Sequence, residues 1–225
     1  MSQVKIHDDA LAAVASVTDG ATVLVGGFGM AGMPVTLIDA LIEAGPTNLT
    51  IVSNNAGNGE TGLAALLKAG RVRKVVCSFP RQHDSYVFDE LYRAGQVELE
   101  VVPQGNLAER MRAAGAGIGA FFTPTGAGTQ LAEGKETRVF GGRTHVLELP
   151  IHGDVAIIRA HQADRMGNLV YRKTARNFGP VMATAATTTI VEVPCVLETG
   201  MLDPEGIVTP SIYVDHVLDL KEDPA

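Results

Sequence analysis

Short apolar, β-branched runs recur along the 225 residues: Thr22–Val25, Leu49–Val52, Val75-Val76, Leu99–Val102, His145–Leu149, Val155–Ile158 and Thr189–Val193. Runs this short and this apolar predict buried strands. Between them apolar positions recur at helical spacing: Val35, Ile38, Leu41 and Ile42, then Leu63, Leu66 and Leu67, then Leu107, Met111 and Ala114. Each stripe predicts an amphipathic helix. Four helical segments end in Ala-Gly, at Gly45, Gly70, Gly95 and Gly115, where glycine takes the left-handed conformation that stops a helix. The first three stops are followed within a few residues by a strand. Strand, helix, glycine, strand is the rhythm of an α/β fold with an open, mainly parallel sheet flanked by helices.

From Gly119 to Gly142 the pattern gives way to a glycine- and threonine-rich stretch, which predicts a small irregular β and loop insertion. The length suits one domain, taken as residues 1–218, with 219–225 as a frayed C-terminal tail. Eighteen basic against 25 acidic residues give a net charge of -7. The basic residues scatter, so the footprint of a nucleic-acid partner is missing. Cys77 and Cys195 stand in no metal-binding spacing and the histidines form no HxxH pair, so no metal site is expected. The N-terminus shows no basic stretch followed by an apolar one. The apolar run from Val23 to Val35 is broken by glycines and Pro34, short of the roughly 20 residues of a membrane span. A cytoplasmic protein away from membranes is the expectation.

Three loops could carry chemistry. Gly26, Gly27, Phe28, Gly29, Met30, Ala31 and Gly32 follow a strand and lead into a helix at Pro34. There glycine lets backbone N–H groups approach an anion favoured by the helix dipole. The spacing Gly27-x-Gly29-x-x-Gly32 is an imperfect dinucleotide fingerprint, because no acidic residue ends a second strand about 20 residues on. A tight turn without a ligand explains the glycines equally. Asn54 and Asn55 follow the strand Leu49–Val52, and Gln104 follows Leu99–Val102. Amides beyond the carboxyl ends of parallel strands are placed to hold a carboxylate or to donate to a developing oxyanion. They read equally as turn amides bonded to their own backbone.

Taken in order, Gly26-Gly-Phe-Gly-Met-Ala-Gly-Met-Pro34, Ser53-Asn-Asn-Ala-Gly57, Val102-Pro-Gln-Gly105, Phe122-Thr-Pro-Thr-Gly126, Gly167-Asn-Leu169 and Ala175-Arg-Asn-Phe178 resemble the A subunit of family I CoA-transferases over nearly the whole chain. Asn54 to Glu60 and Cys77-Ser-Phe-Pro-Arg-Gln82 look most like its 3-oxoadipate branch, beside the acetoacetate and succinyl-CoA:3-oxoacid branches. The resemblance implies CoA transfer from succinyl-CoA to a 3-oxo acid in aromatic degradation. CoA is then a substrate, with no tightly bound cofactor. The partner B subunit would supply the catalytic glutamate, in a heterodimer or heterotetramer. Gly26 to Gly32 would then contact CoA, Asn54, Asn55 and Gln104 the substrate, and Gln104 the oxyanion. Glu60 begins like the B-subunit glutamate motif, but Ala65 stands where that motif has glycine, and a helix cap explains Glu60 more simply. Arg71, Arg73, Lys74 and Arg81 read as a solvated face or as a contact for CoA phosphates. A non-catalytic metabolite-binding module and a sugar-phosphate isomerase-like enzyme are the competing readings.

Overall fold

Val23, Leu24 and Val25 are all fully buried, yet Val23 and Val25 join one hydrophobic core while Leu24 joins another. A strand whose neighbouring side chains enter two cores lies in a sheet covered on both faces, which is why it reads as a continuous apolar run. The computed structural model describes residues 4–222. The chain runs β1 (Lys5–His7), α1 (Ala10–Val14), β2 (Thr22–Val25), α2 (Val35–Ala44), β3 (Leu49–Val52), α3 (Leu63–Lys68), β4 (Val72–Cys77), α4 (Tyr86–Arg93), β5 (Glu98–Val101) and α5 (Gln104–Gly115). Three short strands follow, β6 (Phe121–Thr123), β7 (Thr137–Phe140) and β8 (Arg143–Glu148). The rest is β9 (Gly153–Arg159), β10 (Gln162–Asp164), β11 (Leu169–Val170), α6 (Gly179–Ala185), β12 (Ala186–Val193), β13 (Val196–Leu197) and β14 (His216–Asp219).

Eight strands form one sheet in the order β1-β14-β12-β9-β2-β3-β4-β5, with every neighbouring pair parallel. Helices α1 to α4 pack on one face, through residues such as Leu37, Leu66 and Phe88, and α5 and α6 on the other, through Leu107, Met111 and Met182. The order reverses between β2 and β9. At such a switch point the connections leave in opposite directions and open a crevice beyond the strands' carboxyl ends.

Three of the expected glycine stops are left-handed: Gly45 at φ 86°, Gly70 at φ 69° and Gly95 at φ 69°. The fourth is corrected. Gly115 lies inside α5, where a Cβ would come within 2.7 Å of the Thr184 side chain, and Gly117 at φ 68° takes the left-handed role. Glycine at 115 serves close packing of α5 on α6. The run His145–Leu149 also differs from expectation, since β8 belongs to a separate antiparallel sheet, β6-β8-β7, with one face exposed. This sheet is the small insertion foreseen after α5. Residues 219–222 are docked: Asp219 ends β14, Leu220 N–H donates to Val193 and Glu222 N–H to Pro194. The last three positions of the expected tail lie outside the described residues. No helix among the described residues is long and apolar enough to cross a membrane.

Candidate active site

The carboxyl ends of β3, β4 and β5 deliver Asn54, Ser78 and Gln104 to one place. Gln104 is the first residue of α5, after Pro103 has set the turn with φ -52°. Its Nε2 donates to Asn54 Oδ1 at 2.8 Å, and Ser78 Oγ donates to the same oxygen at 2.9 Å. With its oxygen engaged twice, Asn54 offers a ligand only its NH2 group, and Gln104 keeps a second N–H of its own. Asn54, Ser78 and Gln104 line a cleft of about 380 Å³ with Phe28, Phe79 and Gln82. Phe28 and Phe79 are 49% and 57% exposed, so the cleft is walled by apolar rings and floored by amides.

Asn55 goes elsewhere. Its Oδ1 accepts from Gly57 N–H at 2.8 Å, its Nδ2 is buried without a partner, and it borders a small apolar cavity with Leu63 and Leu67. The local turn that was one of its two readings is what forms here. The two neighbouring asparagines thus serve different spaces, Asn54 the amide cleft and Asn55 its own turn.

The glycine segment folds into a tight turn in which Phe28 and Ala31 exchange N–H to C=O bonds of 3.0 and 3.3 Å. Gly27, Gly29 and Gly32 all have positive φ. Asn177 fastens this turn: its Oδ1 accepts from Gly27 N–H at 3.1 Å and its Nδ2 donates to Ala31 C=O at 2.9 Å. The N–H groups of Gly29, Met30 and Gly32 make no hydrogen bond among the described residues. The expected anion position at the N-terminus of α2 is, however, already taken by the chain itself. Glu192, fully buried at the end of β12, accepts from Leu37 N–H at 3.0 Å with one oxygen and from Arg159 at 2.9 Å with the other. Burial pushes this carboxyl up to about 7, against the pull of Leu37 N–H and Arg159.

Arg159 ends β9 at the switch point and lines a larger cavity of about 450 Å³ with Gly32, His161, Tyr171, Arg172 and Lys173. Phe28 on the amide cleft and Gly32 on this cavity belong to one turn, so the glycine segment is a wall shared by both spaces. Neither Asn177, Glu192 nor Arg159 stood among the expected site residues. Asn177 and Glu192 act on residues about 150 positions away in sequence, and Arg159 acts on Glu192 from a neighbouring strand; their traces in the sequence were short motifs of the family resemblance, Ala175-Arg-Asn-Phe178 among them.

One further expectation is corrected. Glu60 does not cap α3, whose N-cap Gly62 carries no side-chain bond; it pairs with Lys68 at 2.9 Å, and hydrogen bonds from Lys68 and Tyr86 hold its exposed carboxyl below the usual value. Arg73, Lys74 and Arg81 are paired with Glu98, Glu100 and Asp89, while Arg71 caps carbonyls at the end of α2. That basic stretch is an ion-paired face open to solvent, the first of its two readings. Cys77 is buried, its thiol pushed up to about 12 by desolvation, and Cys195 is half-buried. No cluster that could hold a metal occurs among the described residues.

The profile of the Coenzyme A transferase family matches residues 7–220. The chain belongs to that family. As a CoA-transferase chain it is 68% identical over 214 residues to the A subunit of 3-oxoadipate CoA-transferase from Pseudomonas putida, covering 95% of this chain and 93% of that one. It is 63% identical to the protein of the same name from Acinetobacter baylyi, again over 95% and 93% of the two chains. It is 48% identical to the A subunit of a probable succinyl-CoA:3-ketoacid coenzyme A transferase from Bacillus subtilis, covering 95% and 89%. Among solved structures, an acyl-CoA transferase from E. coli O157:H7 in a thioester complex with CoA superposes with a TM-score of 0.86 at 23% identity, over 96% of this chain and 50% of that one. That likeness establishes the shared fold.

Proposed function

We propose that the chain is the A subunit of a 3-oxoadipate CoA-transferase, moving CoA from succinyl-CoA to 3-oxoadipate with the catalytic glutamate on the B subunit. The observation that carries this reading is the 68% identity over 95% of the chain to a relative of that name, against 48% to one named for 3-ketoacids. The cleft supports the division of labour. It gathers neutral amides, while Glu60, the one motif-like glutamate, is exposed and paired.

The chemistry then runs by covalent catalysis. The glutamate carboxylate attacks the succinyl-CoA carbonyl, expelling CoA thiolate and leaving a mixed anhydride. The thiolate attacks the glutamyl carbonyl, releasing succinate and forming an enzyme thioester. The 3-oxoadipate carboxylate attacks that thioester, and the expelled thiolate then takes the 3-oxoadipyl group and restores the glutamate. Each attack places negative charge on a carbonyl oxygen, which the second N–H of Gln104 and the NH2 of Asn54 would stabilise without a counter-charge. CoA is a substrate in this cycle.

The test is succinyl-CoA consumption with 3-oxoadipate as acceptor, for the chain alone and mixed with the B subunit. Transfer only in the mixture is expected. Transfer by the chain alone would place the nucleophile here, and a mixture that accepts acetoacetate but not 3-oxoadipate would favour the 3-ketoacid reading.

A further inference from the structure

The cavity beside the glycine turn takes no part in the amide chemistry, yet it gathers cations in an acidic chain. Arg159, Arg172 and Lys173 all border it, together with His161 and Tyr171, in a protein of net charge -7. Its position beyond β9, where the strand order reverses, is the place an open parallel sheet offers to a ligand. We propose that this cavity is an anion site, holding an oxyanion group of the substrates remote from the thioester: a phosphate of CoA or the far carboxylate of the diacid. The assignment rests on the CoA-transferase reading above.

Three features fit an anion here. The cavity, at about 450 Å³, is large enough for a phosphate or carboxylate group with part of its carrier. Arg159 is anchored through Glu192 at 2.9 Å, which leaves other guanidinium N–H groups for a ligand. The segment bearing Lys173 is held rigidly, since Asn177 Nδ2 donates to Thr174 and Ala175 C=O at 3.1 Å each, and Lys173 itself sits at φ 50°. The backbone that carries this cation is therefore set in place before a ligand arrives. The wall opposite is the glycine turn, so a molecule with its thioester over the amides and an anionic end in the cavity would straddle Phe28 to Gly32.

The chain also carries its own competitor. Glu222 borders the cavity with its carboxylate 3.9 Å from Arg159, held there by its backbone bond to Pro194. A bound anion displaces or repels that carboxylate, so Glu222 weakens the site it borders.

Calorimetric titration of the full-length chain, alone and with its B subunit, tests this with two probes, adenosine 3′,5′-bisphosphate and succinate. Binding that weakens with added salt is expected for at least one. Lys173→Asn, which tolerates the positive φ, should weaken it roughly tenfold, the scale of one charge-assisted hydrogen bond. Glu222→Gln should tighten it about threefold by removing the repelling charge. Bisphosphate binding alone assigns the cavity to CoA phosphates, and succinate binding alone to the diacid. No binding of either probe, or affinity indifferent to both substitutions, overturns the site. Transfer activity of the wild-type complex is measured alongside: activity without anion binding removes the site and leaves the function, while anion binding without transfer does the reverse.

Discussion

A single hydrogen bond of 2.8 Å between Gln104 and Asn54 fixes which atoms each amide can offer a substrate. On the proposed function Gln104 donates to the developing oxyanion, so Gln104→Ala should lower kcat of the assembled enzyme by about 10²-fold. Assembly, read by size-exclusion chromatography, should be unchanged; an unchanged kcat would end the assignment. Gly32 offers a stability test with an internal control. It sits at φ 70° and a Cβ there would run into the Ala175 carbonyl, whereas Gly29, at φ 60°, would meet nothing. Gly32→Ala should therefore cost about 1–3 kcal/mol more than Gly29→Ala, visible as a larger fall in Tm. Sequence pattern exposed these glycines as a group. It could not separate them, since the clash depends on a carbonyl more than 140 positions away.

At the scale of elements, the edge strand β1 is tied to β14 by three parallel pairs and by His7 Nε2 lying 2.9 Å from His216 Nδ1. One nitrogen of that pair must be unprotonated to accept. Burial foremost, then the neighbouring His216 and Lys5, lowers His7; burial and Lys5 lower His216 against the pull of Asp215. Both folded values lie below that of a free imidazole, so the unfolded chain binds more protons as pH falls. The pair's contribution is complete above the unfolded value of about 6.5 and is lost below it. Amide protection in β1, corrected for the intrinsic pH dependence of exchange, should be lower at about pH 5 than at about pH 7.5, and His7→Asn should shrink the difference. Equal protection at both values would exclude this link. Neither β1 nor β14 stood out in the sequence, since each is short and of mixed polarity. Their pairing partners decide them.

At the scale of the molecule, the proposed function makes a cleft that gathers amide donors without a nucleophilic carboxylate half of an active site. Activity of the mixed subunits should therefore fall on dilution more steeply than in proportion to enzyme, as the complex dissociates, and saturate as either chain is added to the other. A linear dilution series from micromolar to sub-nanomolar enzyme would argue against a dissociable split site. The sequence by itself determined the α/β class, the central strands, three of the glycine stops and the family. All of these depend on local pattern: apolar runs of strand length, helical stripes, and glycine where φ is positive. Tertiary structure alone decided that Asn54 and Asn55 serve different spaces, that Glu192 fills the helix terminus expected to hold an outside anion, and that Arg159 and Lys173 share a cavity with Gly32. Those outcomes depend on which strand lies beside which. Adjacency across an eight-stranded sheet joins residues some 150 positions apart, a distance over which no periodicity in the chain carries information.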